Sequence, residues 1–338
     1  MHQLCTAPMM DWSDRHCRYF FRQLAPNALV YTEMITTGAL LHGDVPHHLD
    51  FDQAEHPVAL QLGGSEPADL ASSAKLGESW SYDEINLNCG CPSERVQRGA
   101  FGACLMAEPQ LVADCVKAIQ DSVSLPVTVK HRLGIDSIED YDFVRRFVEI
   151  LAAAGCRTFI VHARNAILKG LSPKDNRQVP PLKYDYVYRL KADFPECTIV
   201  INGGIDSASK AQEALQRIDG VMLGRTAYHD PYVLAELDCA MFGNKPAISR
   251  EEVVTRMWRY AKREIERGTP LRAITRHILG LYHGQPRARK WRQILSDSGH
   301  LARNDADLIL QAHQLVVGSA QTTTAPATTR FNDNGKAA

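Results

Sequence analysis

The sequence predicts a (β/α)8 TIM barrel followed by a small all-α domain, and three observations carry that prediction. Eight short β-rich segments alternate with helically spaced stretches over about the first 225 residues, the count of such a barrel. Several of the segments are continuous apolar runs, as expected of strands buried on both faces. After about residue 243 the β pattern stops and only helical spacing remains. A doubly wound sheet is the rival, but its nucleotide-binding form carries a glycine fingerprint, and this chain has no Gly-x-Gly and no Walker loop.

The strands are expected at 3–7, 28–32, 58–61, 84–88, 127–130, 158–162, 198–201 and 221–223. Between them, Leu111, Cys115, Ala118 and Ile119 form one helical stripe ahead of Pro126, and Phe143, Phe147, Ile150 and Leu151 form another ahead of Gly155. Further on, Ser249 with Glu252 has the spacing of a capping box. Val253, Val254, Met257, Ala261 and Ile265 continue it as an apolar stripe that stops at Gly268. Three more helices are expected at 271–282, 288–295 and 304–317. The division is therefore a barrel over 1–243, a helical domain over 244–318, and a Thr-, Ala-, Pro- and Asn-rich tail over 319–338 with little to bury and hence disordered.

With 338 residues, 45% hydrophobic and 23% charged, the chain has the composition of a globular protein with a substantial core, not of a fibrous or mainly disordered one. No run approaches the roughly 18 apolar residues of a membrane-spanning helix, so no membrane is expected among its partners. The first residues lack the basic and apolar regions of an export signal. The nine cysteines are scattered instead of framed in pairs. Free thiols and a cytoplasmic location are the expectation. Net charge is −1, yet residues 245–303 hold 14 Lys and Arg against five Asp and Glu, and the remainder holds 24 against 34. A basic appendage on an acidic body suits a protein that meets a polyanion at one face, although solvated helix faces give the same count.

In a barrel the chemistry sits at the carboxyl ends of the strands. Those ends read Ala7-Pro8-Met9-Met10, Gln61-Leu62-Gly63-Gly64, Asn86-Leu87-Asn88-Cys89-Gly90-Cys91-Pro92, Lys130-His131-Arg132, His162-Ala163-Arg164, Asn202-Gly203-Gly204 and Gly224-Arg225. The glycines after strands seven and eight let backbone N–H groups approach an anion, where barrels commonly hold a phosphate, or are simply tight turns. Lys130 is a lone amine facing the mouth. It could stabilise a reduced flavin, form a Schiff base, or make a structural ion pair. His162 could serve a cofactor or be a satisfied polar residue, and Gln61 and Asn88 could bond the edge of a planar heterocycle or close loops. Cys89 and Cys91 lack zinc spacing, and no second pair follows them, so no metal is expected. Cys91 differs from the other cysteines because it sits on a Gly-Cys-Pro turn at the barrel mouth.

The run Asn86–Ser93, followed by Val96-Gln97-Arg98-Gly99-Ala100-Phe101-Gly102-Ala103-Cys104-Leu105-Met106, resembles the signature of the flavin-dependent tRNA-dihydrouridine synthases, closest to the bacterial A-type subfamily. Ala7–Trp12, Val129–Asp136, Val161–Arg164, Gly170–Lys174, Ile201–Ile205 and Leu223–Arg225 resemble further motifs of that family in the same order. The resemblance implies a flavin-binding barrel with a helical tRNA-recognition domain, bound FMN, and NADPH as hydride donor. It implies reduction of the C5=C6 bond of uridine in the tRNA D-loop, at positions 20 and 20a, by a protein acting as a monomer. By resemblance, Pro8, Met9 and Met10 back the flavin ring, Gln61, Lys130 and His162 contact it, and Asn202, Gly203, Gly204, Gly224 and Arg225 cradle its phosphate. Cys91 matches the proton donor, a role that needs an S–H where a nucleophile needs a thiolate. Asn88, Lys174, Arg177, Arg289 and Arg292 match positions implied in tRNA contact. A flavin barrel acting on a free pyrimidine, in the manner of dihydroorotate dehydrogenases, would share the barrel but leave the basic helical domain unexplained. A non-catalytic RNA-binding barrel would bind no flavin, and a metal-dependent hydrolase would need His and Asp clusters that the strand ends lack.

Overall fold

A computed structural model of the chain describes residues 1–93, 96, 99–138, 140–243 and 247–318. The expected tail at 319–338, the domain boundary at 244, and Gln97 and Arg98 of the signature lie outside the described residues. Eight parallel strands form one sheet: β1 (Leu4–Thr6), β2 (Val30–Thr36), β3 (Val58–Gly63), β4 (Glu84–Cys89), β5 (Val127–His131), β6 (Thr158–His162), β7 (Thr198–Asn202) and β8 (Gly220–Leu223). Their order is β1-β8-β7-β6-β5-β4-β3-β2, and the sheet closes through a parallel bridge between Cys5 and Leu29. The architecture is a TIM barrel, as the strand count implies.

Alternation along the strands builds two cores. Outward residues such as Val30, Leu60, Leu87, Val129, Val161 and Ile201 pack under the surrounding helices. Inward residues Cys5, Ala7, Leu29, Tyr31, Ala59, Ile160, Val200 and Met222 fill the barrel. On β4 the inward positions Glu84, Asn86 and Asn88 are polar and buried, while Ile85, Leu87 and Cys89 face the helices. Polar side chains here line the closed interior instead of a wet face.

The helix Arg250–Glu266 starts where Ser249 predicts it, the Ser249 side chain accepting from the Glu252 N–H at 3.1 Å. The reciprocal half of the capping box is replaced, since Glu252 pairs with Arg256. Leu271–Ile278, Ala288–Ser296 and Asp307–Val317 follow. They surround Trp291, which is fully buried and donates its indole N–H to the Ile278 carbonyl at 2.9 Å. The bundle docks beside the first barrel helix, Arg15–Leu24. Tyr260 stacks on Tyr19 at 3.8 Å and bonds His16 at 2.7 Å, and Arg276 and His277 both reach Asp14, the cap of that helix. Burial alone would raise Asp14, but the His277 hydrogen bond and charge hold it well below the usual carboxylate range. The anchor sits at the loop after β1, so the bundle flanks the barrel mouth. No described helix is long and apolar enough to cross a membrane.

His131 points outward from β5, packs against Phe147 at 5.1 Å, and bonds the Arg132 carbonyl through Nδ1 at 2.7 Å. Burial lowers it to about 4, with the Arg132 carbonyl opposing that shift. Below the unfolded value of about 6.5 the unfolded chain takes up a proton that the folded protein refuses. This contribution is therefore complete above pH 6.5 and is lost as pH falls toward 4. His131→Gln should lose about 2 kcal/mol less stability than the parent between pH 7 and pH 5. Equal losses in urea titrations at the two pH values would show that residue 131 does not resist protonation.

Candidate active site

The turn after β4 is clamped on both sides of Cys91. The Asn88 side-chain oxygen accepts from the N–H groups of Gly90 at 3.1 Å and Cys91 at 3.0 Å. The Cys91 carbonyl in turn accepts from the Ala103 N–H at 2.9 Å. Asn88 donates to Gln61 at 2.8 Å, so two residues expected on a heterocycle edge are bonded to one another. Cys91 itself is partly exposed.

Arg132 supports this turn from below. Its Nε donates to the Gly90 carbonyl, and its Nη1 donates to the carbonyls of Asn165 and Asn176, each at 2.9 Å. One buried guanidinium thus joins the loop after β4 to two positions in the loop after β6. Burial lowers Arg132 to about 10, against the pull of Cys91. Sequence reasoning assigned it no role. The available signal was a second cation directly after Lys130-His131, at a strand end.

Lys130 points inward and donates to Asn202 Oδ1 at 3.1 Å, and Asn202 donates to the Met222 carbonyl at 2.9 Å. Burial, then the Arg132 charge, lowers Lys130 to about 7. The lysine therefore makes a hydrogen bond, not the structural ion pair considered from the sequence. His162 is buried and held well below its ordinary value by burial and then by Arg132, Lys130, Arg164 and Arg177, so it is neutral. Its ring lies against Gly203, where a Cβ would meet Cδ2 at 2.6 Å. Gly203 also has φ +99°, so this position needs glycine twice over. The Tyr184 hydroxyl donates to the Gly203 carbonyl at 2.8 Å, a second contact that the sequence did not reveal.

Arg225 opens a short helix after Gly224 and donates to the Arg177 carbonyl at 3.0 Å. Met9 packs on the interior cluster and its sulfur lies near Gly224, while Pro8 is partly buried and Met10 is exposed at the rim. Lys174 and Arg177 are exposed on the loop after β6. Cys91 lies close enough to Lys130, Arg132 and Arg177 to act on the charge of each. Arg289 and Arg292 are exposed on the helix Ala288–Ser296, and neither side chain makes a hydrogen bond or ion pair among the described residues. The structure thus brings the strand-end residues together and leaves these two arginines on the bundle.

Lys130, Arg132, Arg164, Arg177 and Arg225 converge at one mouth, and among the described residues no Asp or Glu pairs with them. Such a cluster is complementary to an anion. A Cβ at Gly203 would collide with the His162 ring, whereas at Gly224 it would make only ordinary contacts with Ala7 and Met9. The cations and the neutral polar side chains beside them fit a planar cofactor bearing a phosphate, as FMN does. No group of three His, Cys, Asp or Glu side chains gathers as a metal site among the described residues.

Residues 5–316 match the dihydrouridine synthase (Dus) family model. The chain belongs to the dihydrouridine synthase family. It is 55% identical over 312 residues to a tRNA-dihydrouridine(20/20a) synthase of Escherichia coli (strain K12), covering 92% of this chain and 90% of the relative. A Pseudomonas aeruginosa protein of the same name is 55% identical over 313 residues, covering 92% and 94%, and one from Xanthomonas campestris pv. campestris is 54% identical over 312 residues, covering 92% and 93%. Among solved structures, morphinone reductase in complex with tetrahydroNAD superposes with a TM-score of 0.50 at 12% identity, covering 72% of this chain and 88% of that one. TcOYE with pHBA superposes with a TM-score of 0.51 at 12% identity, covering 72% and 90%. These two likenesses concern the barrel fold that the dihydrouridine synthase family shares.

The Gly203 geometry is testable without ligand. Gly203→Ala should be destabilised by more than the roughly 1–2 kcal/mol that a left-handed backbone costs an alanine. Gly170→Ala, at φ +88° in open space, should show the backbone part alone. Equal melting temperatures for the two variants would mean that the His162 ring does not confine residue 203.

Proposed function

We propose that this protein is an FMN-dependent, NADPH-driven tRNA-dihydrouridine synthase that reduces the C5=C6 bond of uridines 20 and 20a in the tRNA D-loop. The observation that carries the reading is the clamped Cys91 turn beside a cluster of cations without carboxylate partners. Family membership and the activity for which relatives matching along almost their whole length are named support the same reading.

When bound, FMN supplies the hydride that uracil takes up at C6, and NADPH restores it. Pro8, Met9 and Met10 would flank the ring, Gln61, Lys130 and His162 would meet its polar edge, and Asn202, Gly203, Gly204, Gly224 and Arg225 would hold its phosphate. Lys130 can serve there as a donor or a cation, because burial brings its proton affinity close to neutrality. His162, held neutral, can donate one hydrogen bond and accept another.

Cys91 supplies the proton. Its S–H bond breaks, a C–H bond forms at C5, and the electron pair stays on sulfur. The resulting thiolate lies near Lys130, Arg132 and Arg177. Hydrogen bonds between the Cys91 backbone and both Asn88 and Ala103 hold the turn that carries the sulfur. Uridine reaches such a mouth only after leaving its stack, at a cost of a few kcal/mol. Asn88, Lys174 and Arg177 at the mouth and Arg289 and Arg292 on the bundle would offset that cost by holding base and phosphates. In this reading residues 1–243 form the catalytic barrel, 244–318 the tRNA-recognition domain, and the protein acts as a monomer in the cytoplasm. A free pyrimidine would leave the two exposed arginines without work.

Cys91→Ala should keep reduction of its flavin by NADPH, read as bleaching of the visible absorption, and should form no dihydrouridine in tRNA. Full tRNA turnover by that variant would reject Cys91 as the acid. Arg289→Ala with Arg292→Ala should weaken tRNA binding and lower the slope of log K against log salt by about 1 for each phosphate that is no longer neutralised. An unchanged slope in filter binding would remove the bundle from the interface.

A further inference from the structure

A line of buried side chains runs through the barrel from its floor to the Cys91 turn. At the floor Glu84 accepts from Tyr31 OH at 2.7 Å and Thr128 OH at 2.6 Å, and it pairs with His2. Asn86 donates to Thr128 Oγ1 at 2.8 Å. Gln61 donates to Asn86 Oδ1 at 2.7 Å, and Asn88 donates to Gln61 Oε1 at 2.8 Å. The Gly90 and Cys91 N–H groups end the line on Asn88 Oδ1. Glu84, Asn86, Gln61, Thr128 and Asn88 are all at most 7% exposed, so bulk water cannot replace a missing partner.

The line has a direction. A carboxylate accepts and does not donate, whereas backbone N–H groups donate and do not accept. Thr128 has one hydroxyl proton and gives it to Glu84, so it must accept from Asn86. Asn86 then presents its oxygen to Gln61, Gln61 its oxygen to Asn88, and Asn88 its oxygen to the turn. With an acceptor at one end and donors at the other, only one arrangement of the three carboxamides makes every link.

We propose that Asn86 is a positioning residue for Cys91, passing the polarity set by Glu84 along the interior and so fixing which end of the Asn88 carboxamide holds the turn. Its importance for catalysis rests on the reading of Cys91 as proton donor. The hydrogen-bond line itself does not.

Two substitutions at position 86 separate the roles of its two ends. Asn86→Leu removes the oxygen to which Gln61 donates, so the Gln61 amide loses its acceptor and no longer fixes the Asn88 carboxamide. In the holoenzyme, exchange of the Gly90 and Cys91 amide hydrogens should be about tenfold faster than in the parent, the scale of one lost hydrogen bond. The kcat for tRNA should fall about tenfold or more, with KM within about twofold, because a misplaced group costs rate more than affinity. Asn86→Asp keeps an acceptor for Gln61 and gives up only the donor to Thr128, so the direction of the line toward the turn survives and both ratios should stay within about twofold of the parent.

Where Asn86→Leu does not fold, Asn86→Ala removes the same oxygen without crowding and carries the same expectation. An oxygen-free variant equal to the parent in exchange and kcat, or Asn86→Asp as impaired as that variant, overturns the proposal. Full turnover by Cys91→Ala would instead overturn the proton-donor role and leave the exchange result standing.

Discussion

A closed barrel keeps water out, so each polar side chain placed inside it must be satisfied by another side chain or by backbone. β4 puts three such residues inward, and their partners come from Tyr31, Gln61 and Thr128 on three other strands. Everything at the mouth inherits this pairing. Asn88 faces the Cys91 turn because Gln61 takes its amide, and Gln61 is in turn committed to Asn86. Arg132 obeys the same rule at the rim, where three carbonyls from two loops meet one buried guanidinium. The reactive turn is therefore held by directional bonds, which tolerate less displacement than apolar packing does.

The fold was legible because periodicity is a local property. Seven of the eight strands lie within two residues of where the apolar runs place them. β2 is the exception: the expectation was 28–32, and the strand is Val30–Thr36 with a register shift between Tyr31 and Met34. There the Thr32 hydroxyl accepts from the Gln61 N–H at 2.9 Å, standing in for a backbone carbonyl. A side chain that replaces a rung leaves no periodic trace. The stripe expected at Leu111, Cys115, Ala118 and Ile119 is similarly rotated, with Val112, Cys115, Val116 and Ile119 buried.

The candidate site was legible where residue type and strand-end position coincide, as at Cys91, Lys130 and His162. It was opaque where a role depends on distant backbone. Arg132 acts on carbonyls 33 to 44 residues away, and Tyr184 on one 19 residues away, and no spacing rule announces a carbonyl as a partner. Asn86 was visible within the signature. Its position in the line appears only when β3 and β5 are brought to either side of β4.

The mouth also makes an energetic argument about its ligand. Five cations without described carboxylate partners repel one another, and burial first, with that repulsion added, brings Lys130 to about 7 and Arg132 to about 10. A protein selected for stability alone would relieve this with an Asp or Glu nearby, as it does at Asp14 beside Arg276 and His277. Leaving the cluster open assigns the neutralising charge to something that binds. An anion entering there gains the attraction and relieves the repulsion together, so occupancy and stability rise together. The basic bundle anchored at the loop after β1 extends the same preference beyond the mouth. A small anionic cofactor can satisfy the inner cations, whereas the exposed arginines of Ala288–Ser296 lie on the helical bundle, outside that cluster.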